Sequence, residues 1–137
     1  MKKIALLQLF IVFLATAVAG EEIDYSKISE AKSARLNNIV ARYIRIYGEP
    51  CAFFQTLNPR NGWKITSAKN FCSLNGKSFR TDFSDSHFEN VYFSSLGAHL
   101  TLSITPLETT GEQKMKCFVP IENSTISEMI CEDIENP

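Results

Sequence analysis

Between residues 26 and 47 apolar side chains recur every third or fourth position. Leu36, Ile39/Val40, Tyr43 and Ile46/Tyr47 form a stripe that Ile28 and Ala31 roughly continue. That spacing predicts one amphipathic helix over 26–47. Asp24 or Ser26 can cap its start by accepting from free backbone N–H groups, Gly48 stands where a helix-ending glycine belongs, and Pro50 blocks continuation. From Cys51 onward the period changes to two. Strand-like segments 51–57 and 63–68 flank Asn58-Pro59-Arg60-Asn61-Gly62, while 71–74 and 77–83 flank Asn75-Gly76. Segments 88–95 and 98–105 flank Leu96-Gly97, and 114–120 and 125–132 flank Glu122-Asn123-Ser124. The segment 98–105 alternates Leu100, Leu102 and Ile104 against His99, Thr101 and Ser103. Asn-Gly is a strong hairpin signal because both central residues of a type I′ turn need positive φ.

The four cysteines can be placed on those turns. With Asn61-Gly62 as a two-residue loop, Arg60 pairs with Trp63, and Cys51 and Cys72 are equidistant from the turn. Cys117 and Cys131 are likewise equidistant from Ser124. Directly opposed strand residues have Cα atoms about 4.5–5.5 Å apart, a separation that suits a disulfide. Of the three connectivities open to four cysteines, the spacing favours 51–72 with 117–131. In the chain-entropy model each such bridge adds about 3 kcal/mol. Pro59 confines the first hairpin to a sheet edge or requires a bulge.

Composition adds a compartment. Lys2 and Lys3 precede an uncharged apolar run over 4–15, and Ala17-Val18-Ala19 supplies the small residues a signal peptidase needs. Residues 1–19 are therefore expected to be a signal peptide, 20–132 a single secreted domain, and 133–137 a frayed tail. The expected localisation is extracellular, or periplasmic in a bacterium, with no transmembrane segment. Without Lys2 and Lys3 the chain carries 12 basic against 15 acidic residues. That balance argues against nucleic acid as a partner. Asn123-Ser124-Thr125 is a glycosylation sequon.

Candidate chemistry is sparse. Lys32, Arg35, Arg42 and Arg45 would form a basic face on the helix, suited to a polyanion or an anionic surface, against an acid-rich C-terminal segment. His87 and His99 are candidate acid–base groups, but the expected turn sets them roughly 20 Å apart. Asp82, Asp85, His87 and Glu89 match no zinc or calcium spacing. Ser94-Ser95-Leu96-Gly97 is not a nucleophile elbow, no glycine-rich phosphate loop occurs, and the paired cysteines leave no free thiol. The chain is expected to be a non-enzyme without cofactor or metal. Its aromatic strands, Phe53/Phe54, Phe79, Phe83, Phe88, Phe93 and Phe118, read as core, with an apolar-ligand cavity as the other use.

One N-terminal helix followed by an antiparallel meander with two late disulfides is similar to the cystatin fold. In that family a curved sheet wraps the helix, and a hairpin loop bearing Gln-x-Val-x-Gly enters the cleft of cysteine proteases. The nearest match here is Gln55-Thr56-Leu57-Asn58-Pro59, which keeps the Gln, replaces Val by Leu and puts Pro where Gly belongs. The family's later Pro-Trp pair is missing. The expected fold is thus α+β, with helix 26–47 packed on a curved antiparallel sheet. A β-sandwich with the helix appended at one end is the alternative. The expected function is that of a secreted, disulfide-stabilised protein that binds another protein through loops, with Gln55, Asn58, Arg60 and Trp63 as candidate contacts. A cystatin-type inhibitor is the alternative, ahead of an apolar-ligand carrier or a small hydrolase.

Overall fold

The segment 26–47 forms a β-hairpin, not a helix. The computed structural model describes residues 23–108 and 111–134, and no α-helix occurs among them. The expected signal peptide lies outside the described residues. Strand β1 (Ile28–Leu36) pairs antiparallel with β2 (Ile39–Ile46), and Leu36 faces Ile39 across the two-residue turn Asn37-Asn38. Asn37 sits at φ 55°, a left-handed conformation that asparagine tolerates better than most residues. The helical reading fails for a packing reason. Ala41 and Tyr43 point to one side of β2 and Ile44 and Ile46 to the other, and all four are buried. A strand covered on both faces loses its alternation, and its apolar residues then mimic a 3–4 stripe. Both expected architectures, the cystatin-like sheet and the sandwich with an appended helix, needed that helix and are corrected here.

The first sheet is a meander of four strands, β1-β2-β3-β4, completed by β3 (Ala52–Asn58) and β4 (Lys64–Phe71). A two-residue-per-strand hairpin, β5 (Ser73–Leu74) and β6 (Lys77–Ser78), follows around Asn75-Gly76. The second sheet runs β10-β9-β8-β7, from β7 (Phe83–Ser94), β8 (Gly97–Pro106), β9 (Gln113–Glu122) and β10 (Thr125–Ile126). Strand β11 (Ile130–Asp133) adds to the far part of β9. The chain stays paired past residue 132: Asp133 faces Met115, and the Ile134 N–H donates to Lys114 at 3.2 Å.

The two sheets face each other over one core and meet along two seams, β1 beside β7 and β10 beside β3 and β4. Tyr43, Phe54 and Phe71 from the first sheet pack with Phe88, Leu100, Leu102 and Val119 from the second. Ring centroids 5.4–6.1 Å apart link Tyr43–Phe54–Phe71 and, separately, Phe83–Phe79–Phe88. Of the phenylalanines named as cavity or core, Phe79, Phe83 and Phe88 thus pack on one another, and Phe54 packs on Tyr43 and Phe71. Each large side chain so buried contributes about 1.5–3 kcal/mol. A smaller cluster lies on the outer face of the first sheet, where Ile23 and Ile28 cover Ile44, Ile46 and Phe53 beside the first disulfide.

Both bridges form as the spacing predicts, Cys51–Cys72 with Cα atoms 4.4 Å apart and Cys117–Cys131 at 4.1 Å. The turns beneath them differ from the expected ones. The β3–β4 connection is five residues long, because Asn58 pairs with Lys64. A bulge beyond Thr56/Leu57 then restores the register that sets Ala52 opposite Phe71. Between β7 and β8 the turn is Ser95-Leu96, one residue earlier than expected, since Ser94 faces Gly97. Gly97 is a strand residue whose missing Cβ lets β9 approach: an added Cβ would lie 2.2 Å from the Val119 carbonyl oxygen.

Candidate functional site: the β3–β4 loop and the outer face of the first sheet

Asn58 ends β3 and caps a short 3-10 turn (Pro59–Asn61), its side chain accepting from the Arg60 N–H at 3.0 Å. Gly62 and Trp63 follow, both at φ 61°. The Trp63 N–H closes the loop on the Asn58 carbonyl at 3.0 Å. That closure uses only backbone. The indole itself is 59% exposed, with Ile65 beyond it 43% exposed. A bulky residue in the left-handed region is a backbone outlier, and such outliers gather at functional sites. Of the four expected loop residues, Asn58, Arg60 and Trp63 are together. Gln55 is not: it lies mid-strand in β3 with only 4% exposure. It therefore cannot enter a protease cleft as the cystatin resemblance implies.

The expected basic face is divided. Along strands, side chains alternate, so Arg35 and Arg42 point outward from the first sheet while Lys32 and Arg45 point to its inner side. Lys32 bridges the seam, its Nζ donating to the Val91 carbonyl at 3.0 Å with Glu30 3.5 Å away. On the outer face Arg42 donates from Nε to Gln55 Oε1 at 3.0 Å, and its Nη2 donates to the same oxygen. Gln55 Nε2 donates in turn to the Tyr25 hydroxyl at 3.2 Å. Tyr25 belongs to a 3-10 turn (Tyr25–Lys27) capped by Asp24, whose carboxyl the Ser26 hydrogen bonds hold below the usual carboxylate range.

The histidines occupy the outer face of the second sheet. His87 faces Ser103 and His99 faces Tyr92, four residues apart on β8, so their separation along the sheet is roughly 13 Å rather than 20 Å. His87 sits between Asp85 (2.9 Å) and Glu89 (3.7 Å). A hydrogen bond from Lys114 at 2.7 Å holds the Glu89 carboxyl below its ordinary range and the Lys114 ammonium above. Asp82 stands apart, accepting from the Ser78 N–H at 2.7 Å. No group of metal-ligating side chains occurs among the described residues. Ser94 Oγ lies 2.8 Å from His99 Nε2 and also accepts from the Leu96 N–H at 3.3 Å, which makes it a turn-closing serine. Asn123, with Ser124, forms the exposed β9–β10 turn at φ 48° and 67°.

One feature escaped sequence reasoning and another was seen there only in part. One is a row of four side chains in register, Tyr92–His99–Phe118–Ile130, one from each of β7, β8, β9 and β11. Tyr92 and His99 stack with centroids 4.8 Å apart, and Phe118 lies half-buried against His99 on the outer face. Only the true register reveals it. The other is a charge division whose full extent counting alone would have found. Residues 23–82 hold ten basic and four acidic side chains, and residues 83–137 hold two basic and nine acidic. The first sheet is basic and the second acidic.

No protein-family model, no curated protein and no solved structure matches this chain. Among the described residues, no helix is long and apolar enough to cross a membrane. Together with two disulfides, that is compatible with a secreted protein.

Proposed function

We propose that this is a disulfide-braced binding protein acting outside the cytoplasm, which grips a partner protein through the β3–β4 loop and performs no chemistry of its own. Trp63 carries the reading. Its left-handed backbone costs the fold free energy, its exposed indole returns little by packing, and the loop closes without the side chain. A residue kept at such a position is explained by what it touches in a complex. Tryptophan and arginine are the side chains that most often dominate binding energy, and Arg60 stands beside it. The Asn58 cap, Pro59 and the nearby bulge hold the loop in one shape, so little ordering entropy is lost on contact. Ser94, the polar neighbour of His99, closes a turn, which supports a non-enzymatic reading.

The test places a photoreactive phenylalanine analogue at position 63 of the secreted protein and irradiates it in the host's own extracellular fluid. A discrete adduct that excess wild-type protein competes away, and that excess Trp63→Gly protein does not, is the expected result. An adduct competed equally by both proteins, or no adduct at all, would remove the loop as the contact surface.

A further inference from the structure

We propose that Arg42 and Arg35 form an anion-binding site on the outer face of the first sheet, and that its ligand is a linear acidic polysaccharide. The site is separate from the Trp63 loop and rests on different observations. Arg42 is held by an uncharged partner: Nε and Nη2 both donate to the Gln55 amide oxygen. Gln55 is buried and is itself fixed by the Tyr25 hydroxyl, over whose ring the guanidinium lies at 5.9 Å. An amide orients a guanidinium without neutralising it. Two of the five N–H groups are used, and the remaining three have no protein acceptor among the described residues. A carboxylate in place of Gln55 would orient Arg42 equally well and cancel its charge; the chain has the neutral isostere.

Arg35 supplies the second cation. Ser33 faces Arg42 across β1 and β2, so Arg35 is its diagonal neighbour on the same side, roughly 7–8 Å away. Neither arginine lies within salt-bridge distance of a carboxylate among the described residues. The outward-facing positions of the four strands carry no acid at all; Glu30 points inward, and the chain's excess acids are gathered in the second half.

Asp24, on the turn over this face, is taken up by Lys27, and Glu49 at its end by Arg80, so the two arginines keep an uncompensated positive charge that decides the class of ligand. A protein surface large enough to cover this sheet carries charges of both signs, and its cations would oppose Arg35 and Arg42. A polymer with carboxylate or sulfate groups along its length has no such cations, and successive anions along it can each meet one of the two diagonally placed arginines. Guanidinium groups pair with either anion through two parallel hydrogen bonds. A nucleic acid shares the charge, but the strongly acidic second half of the chain disfavours it.

The experiment titrates the full secreted protein calorimetrically with size-defined heparin oligosaccharides (sulfated) and with oligogalacturonate (carboxylated) at about 50 mM salt, where screening is weak. Saturable binding of either sugar is expected, and which one binds identifies the anion. Arg42→Gln should lower affinity about tenfold or more. Gln55→Glu should do the same at an unchanged melting temperature, because it keeps the guanidinium in place and removes only its net charge. Lys116→Gln, on the second sheet, should leave affinity as it is. No binding of either sugar by the wild-type protein would overturn the proposal. So would Gln55→Glu and Arg42→Gln variants that bind like wild type, or tighter binding of a single-stranded DNA of equal charge.

Discussion

The Thr56 hydroxyl donates to the Ser124 carbonyl at 2.9 Å and ties the middle of the first sheet to the β9–β10 turn of the second. Thr56 is fully buried, and the Thr66 hydroxyl, 2.8 Å away, completes its bonding. This is one of few polar links across that seam. Thr56→Val keeps the shape and leaves the Ser124 carbonyl without its donor. The expected loss is about 1–2 kcal/mol, read as a lower urea midpoint with an unchanged denaturant slope.

Tyr43 presents the opposite case. Its ring is buried in the core, and its hydroxyl has no hydrogen-bond partner among the described residues. Burial, helped by the nearby Glu30 carboxylate, pushes the phenol up to about 12. In the unfolded chain a tyrosine ionises near pH 10. Between those values the folded state holds more protons, so stability is intact below pH 10 and falls as pH rises toward 12. The loss attributable to this group is on the order of 2 kcal/mol. Tyr43→Phe removes an unpaired buried hydroxyl and should stabilise the protein by about 1 kcal/mol at neutral pH. The same variant should flatten the alkaline limb of a stability–pH curve; a limb as steep as wild type would mean that Tyr43 is not its source.

Gly97 is required by its neighbour across the sheet. A Cβ there would meet the Val119 carbonyl oxygen at 2.2 Å and the Ile121 nitrogen at 3.0 Å, both backbone atoms that cannot swing aside. Its φ of 149° adds backbone strain for any other residue. Gly97→Ala should cost about 3 kcal/mol or more, by analogy with severe overpacking, or abolish folding. Gly48→Ala is the control. Gly48 has a positive φ and nothing within 4 Å of the added atom, so only the left-handed penalty of about 1–2 kcal/mol applies. Thermal melts of the two variants should differ accordingly.

Some of this fold was legible from residue order, and some was legible for a reason that held only by compensation. Cys51 faces Cys72 although the turn between them is longer than Asn61-Gly62. The extra residue Thr66 in β4 shifts the pairing back by the amount the longer loop had moved it. Cys117 and Cys131 benefit similarly from the unpaired residues between β10 and β11. The β1–β2 hairpin was hidden because Asn37-Asn38 lacks a glycine and because β2 is apolar on both faces. Burial on two sides is a tertiary fact, and no local period encodes it. The candidate site divides in the same way. Trp63 and Arg60 were identified as loop residues from turn chemistry alone. The Arg42–Gln55–Tyr25 chain depends on cross-strand register and on how the N-terminal turn folds back, neither of which spacing specifies.

Trp63 offers the sharpest separation of stability from function. Its φ of 61° is unfavourable for a residue with a Cβ by about 1–2 kcal/mol, and its largely exposed indole gains little from packing. Glycine adopts this conformation freely but loses more entropy on folding, which returns part of the gain. Trp63→Gly should therefore raise stability by about 0.5–1 kcal/mol, visible as a small increase in melting temperature. Trp63→Ala keeps the strain and should leave the melting temperature within a few degrees of wild type. Both variants should lose partner binding together. A residue held for the fold would behave the other way, with Trp63→Gly melting lower than wild type. If that is observed, the indole stabilises the loop and the contact surface must be sought elsewhere.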